Sequence, residues 1–254
     1  MKLDILYEDD EIIVCHKAPG VSSQQERSYD PDMVSMLMNH FSKTGVKNPY
    51  VGVVHRLDKP VAGVIIYGKT KSATLALSKQ ITERSCTKKY KAILCGDVRK
   101  LFNSQNVTYA DNLCTLNDYL LRDAKTNTSR VVDIHEKKYA SNSEVKKSTL
   151  KFSLEKTISL RADSPFYNES SPFDNVLSLV DIELLTGRHH QIRVQFSNAG
   201  YPLWGDLKYS SFSKECGQRK GVALCSYSLT ITHPTTKKEM TFSVIPSNSI
   251  FKYL

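Results

Sequence analysis

Residues 53–85, VVHRLDKPVAGVIIYGKTKSATLALSKQITERS, change their periodicity twice. "GVIIYGKT" is an unbroken apolar run between glycines and reads as a buried strand. Beyond it Ala73, Leu77 and Ile81 recur at helical spacing. Ahead of the strand stands a single carboxylate, Asp58, with Arg56 two positions before it and Lys59 directly after it. A carboxylate in a partly dry setting drifts toward its neutral form, and a nearby guanidinium opposes that drift. An acid framed by cations and apolar residues is therefore set up to stay charged, which makes Asp58 the leading candidate for a reactive side chain.

Toward the N-terminus, "EIIVCHK" (11–17) reads as a short strand closed by Pro19 and Gly20, and "DPDMVSMLMNHFSKTG" (30–45) as a helix. Its expected N-cap is Asp30, with Pro31 in the first turn, a core face of Val34, Leu37, Met38 and Phe41, and Gly45 as the stop. Toward the C-terminus, "KKYKAILCG" returns to a strand, and Val180, Ile182 and Leu184 alternate with Asp181 and Glu183 as a half-buried strand does. "HHQIRVQFSNAG" reads as a helix with Ile192, Phe196 and Ala199 on one face and Gly200 as its stop. Leu229 and Ile231, then Met240, Phe242 and Val244, flank "HPTTKKE" as a hairpin. Strands and helices interleave irregularly, so the fold class is α+β. The expected organisation is one catalytic domain, 1–254, with two polar insertions near 135–148 and 161–175 that read as surface loops.

The 254 residues carry 35 basic and 26 acidic side chains, a formal charge of +9 that suits a polyanionic partner, nucleic acid first. Six cysteines form no C-x-x-C pair and no signal or transit segment precedes the first strand, so reduced thiols and a cytoplasmic chain are expected, with nucleus and organelle left open. Nucleotide-binding glycine loops, an H-E-x-x-H zinc motif and a G-x-S-x-G elbow are all missing. His189 and His190 are adjacent, and on a helix they would point apart and make a poor metal clamp.

"HRLDKPVAGVIIYGKT", "KKYKAILCG", "TGRHHQIRVQFSNAGYPLWGDLKYS" and the closing "LTITHPTTKKEMTF" resemble, in the same order, the successive motifs of the RluA-type pseudouridine synthases. The resemblance runs from about Ile5 to Phe242. It implies a pseudouridine synthase fold, a central bent, mostly antiparallel mixed sheet flanked by helices and loops with the cleft across the sheet face. It implies isomerisation of uridine in RNA, tRNA or rRNA, with no cofactor and no metal. Asp58 matches the family's catalytic aspartate, Tyr90 the tyrosine that stacks on the uracil and assists proton removal at C5, and Arg193 the arginine that pairs with the aspartate. Arg56 matches the arginine that fills the space left by the flipped nucleotide. His55, Arg188, His190 and Gln191 fall in the same two motifs as RNA or scaffold contacts, and Ile192 as a pocket wall. The expected state is a monomer acting on RNA and not on a membrane, without the small S4-like module at the front of many relatives.

Three departures stand out. Val61-Ala62 replaces the usual Thr-Ser, removing two hydroxyls that would fix the Asp58 loop, so a less rigid loop is expected. His189 stands where a small hydroxyl residue would cap the next helix, and "HKAPG" exchanges Ala and Pro. A second reading is an RNA-binding assembly factor on the same fold that has lost catalysis. A third, a carboxylate-dependent glycoside hydrolase, needs a second acid about 5 to 10 Å from the first, and the motif offers arginines instead.

Overall fold

The structure, a computed structural model, describes residues 3–26, 30–103, 107–110, 112–212 and 221–253. Contacts divide the chain into two compact units: unit 1 is Met1–Lys89 with Cys225–Asn248, and unit 2 is Tyr90–Leu224 with Ser249–Leu254. Both are α+β with few helices; unit 1 mixes antiparallel and parallel pairings, and the pairings of β6 through β10 in unit 2 are antiparallel.

The N-terminal part of unit 1 contains β1 (Asp4–Glu8), β2 (Ile12–Lys17), α1 (Met33–Lys43), β3 (Gly52–Val53), β4 (Ala62–Gly68) and α2 (Lys71–Glu83). Unit 2 follows with β5 (Thr87–Cys95), whose first three residues still belong to unit 1, then β6 (Val107–Ala110), β7 (Leu113–Asp123), β8 (Thr128–Val132), α3 (Lys137–Ala140), β9 (Lys146–Ser159), β10 (Val176–Leu184) and α4 (Gln191–Asn198). The chain then returns to unit 1 through β11 (Leu224–Thr232) and β12 (Glu239–Ser243).

In unit 1 the strand order is β1-β2-β4-β11-β12, with β3 on β4. The β2 and β4 strands are antiparallel and fully buried apart from His16, so they read as apolar runs rather than alternating ones. Their core joins Ile12, Val14, Val64 and Ile66 to Ala73 and Leu77 of α2 and to Leu229 and Ile231 of β11. The junction of β4 with β11 is parallel, Cys225 opposite Ala62 and Ser226 opposite Gly63. Gly63 has φ +134°, and a Cβ there would stand 2.2 Å from the Ser226 carbonyl oxygen. Only glycine fits that approach.

The first helix starts later than its sequence suggests. Its N-cap is Asp32, whose carboxylate accepts from Ser35 N–H at 3.0 Å, while Asp30 pairs with Lys59 at 2.6 Å. Pro31 holds Asp30 extended, and a bridge between Ser22 and Asp32 keeps the chain extended through Asp32. The buried face is consequently Met33, Leu37 and Phe41, with Val34 and Met38 only half-buried. The second helix begins as its period predicts, capped by the Thr70 hydroxyl.

Unit 2 orders its strands β5-β10-β9-β7-β6, with β8 on β7. Its 14-residue β9 pairs with β10 on one side and β7 on the other. The polar stretch 135–148 is a loop with one short helix, α3, until Lys146, where β9 begins. Ser148, Leu150 and Phe152 then bury alternately, and this continuing period claims the end of the expected insertion. The 161–175 stretch is a loop, but its aromatic residues anchor it. Phe166 sits edge-on to Trp204 at 5.7 Å and Phe173 edge-on to Phe212 at 5.3 Å, over a core of Ile93, Leu177 and Trp204.

Among the described residues no helix is long and apolar enough to cross a membrane. Cys15, Cys86, Cys95, Cys114 and Cys225 are thiols, and burial pushes Cys15 and Cys225 up to about 12. Cys216 lies outside the described residues.

Candidate active site

Unit 1 carries His55, Arg56 and Asp58; unit 2 carries Tyr90, Arg188, His190, Gln191, Ile192 and Arg193. In unit 1 the segment between β3 and β4 is irregular, and it ends in a turn closed by Val61 N–H donating to Asp58 C=O at 2.9 Å. Asp58 is half-buried and Arg56 exposed.

The last residue of β2 and two residues of the segment after it hold this loop. Ser23 both accepts from Leu57 N–H at 2.9 Å and donates to Leu57 C=O at 2.8 Å, while its own carbonyl accepts from the Tyr67 hydroxyl at 2.7 Å. On the far side of Asp58, the Lys59 carbonyl accepts from Gly20 N–H at 2.7 Å and from Lys17 Nζ at 3.2 Å. Val61 and Ala62 are 2% and 1% exposed and pack into the core. The less rigid loop expected from Val61-Ala62 is thus not what the fold builds. Ser23 and Lys17 supply from across the unit the fixing that local hydroxyls would have given.

Lys17 is completely buried. Its ammonium donates to the carbonyls of Val21 at 2.7 Å and of Ala18 and Lys59 at 3.2 Å. Burial pulls it down to about 8, and the negative charge of Asp58 works in the opposite sense. The charge of Asp58 therefore reaches the buried cation. Sequence reading missed Lys17, although a lysine ending an apolar strand just before A-P-G was the available signal.

His55 is half-buried, and its Nε2 accepts from Ile66 N–H at 3.3 Å. Burial, helped by the charge of Lys88, drives it down to about 4, so it is a neutral ring and an acceptor inside the fold.

In unit 2 Tyr90 is a buried residue of β5, 6% exposed. The T-G-R-H-H turn precedes α4, so His189 and His190 are not helical neighbours pointing apart: their rings stack at 3.7 Å. His190 takes the N-cap position in the left-handed region, φ +53°, with no capping side-chain bond. Its Nδ1 lies 2.7 Å from the Tyr209 hydroxyl, which in turn accepts from Ser129 N–H at 2.9 Å. His189 is held at Nδ1 by Ser129 Oγ, 2.9 Å away, and at Nε2 by Asn127 Oδ1, 3.1 Å away. Both histidines are thereby tied to the β7–β8 hairpin and its surroundings. No group of three or more metal-ligating side chains occurs among the described residues.

Arg188 is exposed, with Nε donating to Lys147 C=O at 3.2 Å, whereas Gln191 and Ile192 are buried. Arg193, 4% exposed, makes a two-pronged ion pair with Asp206: Nε to Oδ2 at 2.7 Å and an amino nitrogen to Oδ1 at 2.8 Å. Its guanidinium also lies over the Tyr209 ring, 5.1 Å from the centroid. Asp206, fully buried, additionally accepts from Lys208 and Tyr209 N–H. Asp206 and Tyr209 were not singled out from sequence; the G-D-L-K-Y run that carries them was read only as part of a motif.

A family model described as RNA pseudouridylate synthase matches residues 11–198. A protein of Aquifex aeolicus named as an RNA pseudouridine synthase is 28% identical over 253 aligned positions, covering 95% of this chain and 69% of its own length. Ribosomal large subunit pseudouridine synthase D of Neisseria meningitidis serogroup B is 28% identical over 266 aligned positions, covering 100% of this chain and 61% of its own. The chain thus spans roughly two thirds of these relatives, 69% and 61%. Among solved structures, human RNA pseudouridylate synthase domain containing 1 shares the fold with a TM-score of 0.68 at 22% identity, over 96% of this chain and 83% of that one. The H-R-L-D segment, Tyr90 and the T-G-R-H-H-Q-I-R segment all lie inside the matched residues, and the chain belongs to the family of RNA pseudouridylate synthases, isomerases that act on RNA.

Proposed function

We propose that this chain converts uridine to pseudouridine in structured RNA, with Asp58 as the reacting carboxylate. The observation that carries the reading is the loop itself: Asp58 stands half-exposed in a turn whose backbone is clamped on both sides by Ser23 and Lys17. A reacting group held on fixed backbone loses little entropy on reaching its attack geometry. In the reaction the N1–C1′ bond breaks, the uracil turns, C5 bonds to C1′, and the C5 proton leaves for water while N1 is protonated. Asp58 acts on the sugar, as nucleophile at C1′ or as base toward a sugar proton. Tyr90 stacks on the uracil, an interaction of about 1–3 kcal/mol. Arg193 keeps Asp58 charged, and Arg56 replaces the extruded nucleotide in the RNA stack, which offsets part of the unstacking cost of a few kcal/mol. His55, Arg188, His190, Gln191 and Ile192 shape and line the RNA site.

The net charge of +9 supports an RNA partner, and ribosomal RNA comes first because relatives are named for the large ribosomal subunit. The proposal includes a cytoplasmic monomer that needs neither metal nor cofactor. RNA carrying tritium at uridine C5 tests it, since each turnover sends tritium to water. Ribosomal and transfer RNA are incubated separately with the wild type and with folded Asp58→Asn. Release by the wild type, reduced at least about 10²-fold in the variant, is expected. No release from either RNA, with binding intact, removes the catalytic reading and leaves an RNA-binding assembly factor.

A further inference from the structure

Helix α4 packs on unit 2 with glutamines where a sheet-packed helix ordinarily carries aliphatic residues. Gln191 and Gln195, one turn apart, are 3% and 1% exposed, and Asp118 of β7 continues their row at 9%. Gln195 Nε2 donates to Asp118 Oδ2 at 2.6 Å. Gln191 Nε2 donates to Gln195 Oε1 at 2.9 Å and to the Thr149 carbonyl at 3.2 Å. Gln191 Oε1 then accepts from Arg188 N–H at 3.0 Å and from the Thr186 hydroxyl at 2.8 Å.

The row has a direction. Each amide nitrogen faces toward Asp118 and each amide oxygen toward Arg188. A backbone N–H only donates and an ionised carboxylate only accepts, so both ends impose the same sense and neither amide can turn over without breaking bonds. Burial pushes the Asp118 carboxyl above the ordinary carboxylate range, partly offset by the Gln195 hydrogen bond. Aliphatic residues would seat α4 without that penalty. What the polar row adds is a defined grip on the 186–190 turn, whose His190 sits at φ +53°, a conformation that persists in a non-glycine residue only when its surroundings over-determine it.

We propose that Asp118 is a positioning residue that acts through Gln195 and Gln191 to fix the 186–190 turn and so present Arg188 to RNA. The proposal rests on the synthase reading for its functional half and on the hydrogen-bond row alone for its structural half. Asp118→Val removes the acceptor, and Asp118→Asn keeps an acceptor oxygen without the charge. Two quantities are read: hydrogen exchange of the Arg188 amide in the RNA-free chain, and KM and kcat for tritium release. In Asp118→Val the Arg188 amide should exchange about three- to tenfold faster while the amides of β9 and β10 keep their protection. KM should rise by about the same factor with kcat within about twofold, and Asp118→Asn should restore both. If Asp118→Val loses protection throughout, Gln195→Met breaks the row at its middle and must speed Arg188 exchange alone. Unchanged Arg188 exchange, or equal effects of the Asn and Val variants, overturns the proposal. Absence of tritium release from the wild type removes the synthase reading, and the exchange data still decide whether the row holds the turn.

Discussion

The two segments that carry the candidate catalytic groups are held by opposite means. In unit 1 the backbone around Asp58 is gripped by a fully buried cation, Lys17, spread over three carbonyls, and by one hydroxyl, Ser23. In unit 2 the Arg188–Arg193 segment is gripped by neutral amides in a directed row and by a buried ion pair, Arg193 with Asp206. The buried ammonium of Lys17 carries its charge into the grip itself, whereas the amide row is neutral along its length and meets a charge only at its Asp118 end. The difference teaches that the acid's loop is electrostatically tunable, while the turn that carries the cations is geometrically fixed.

Removing a partner from the ion pair should have the largest effect. Asp206→Ala removes the carboxylate that accepts two of the buried Arg193 guanidinium's N–H groups and should cost about 3–5 kcal/mol in urea unfolding. A cost under about 1 kcal/mol would put the grip of unit 2 in the amide row alone. Lys17→Met comes next, at about 2–4 kcal/mol, because the Val21, Ala18 and Lys59 carbonyls lose a charged donor, Ala18 keeping Val21 N–H at 3.4 Å and Lys59 keeping Gly20 N–H at 2.7 Å. Its kcat for tritium release should fall more than its KM rises. Ser23→Ala should cost about 1–3 kcal/mol by unpairing both backbone groups of Leu57.

The pH dependence sharpens the contrast most. His55 is lowered to about 4 in the fold against 6.5 unfolded, so the unfolded chain takes up the proton first and stability is lost as pH falls from 6.5 through 4. Lys17 is lowered to about 8 against 10.5, so stability is gained as pH rises from 8 toward 10.5. The variant His55→Gln should lose less stability than the wild type between pH 6.5 and 4, measured by thermal unfolding in matched buffers. Parallel curves for the two proteins would show that the ring is not the group being titrated.

Much of this was readable where the physics is local. The β4–α2 passage followed from its change of period and the β11–β12 hairpin from its flanking alternation. The cap of α1 was misplaced by two residues because a bridge to Ser22 overrode the signal of Asp30-Pro31. Lys17 was passed over although its place at the end of an apolar strand marked it, and the bonds that make it and Ser23 matter reach 42 and 34 positions away, to Lys59 and Leu57. The histidine pair was misread because His190 adopts a left-handed conformation that no propensity favours, so a turn replaced the expected start of the helix. Phe166 and Phe173 were discounted because polar neighbours outnumbered them.

Gly63 bears on how far the Asp58 loop can travel. The loop's exit is set against the backbone of Ser226, 163 positions further along the chain by numbering, and its entrance against residues 17–23. The H-R-L-D sequence is consequently not a transplantable cassette. A protein engineered to receive it would have to bring along the strand that crowds Gly63 and the buried lysine that braces Lys59, so the motif can be inherited only together with the sheet around it.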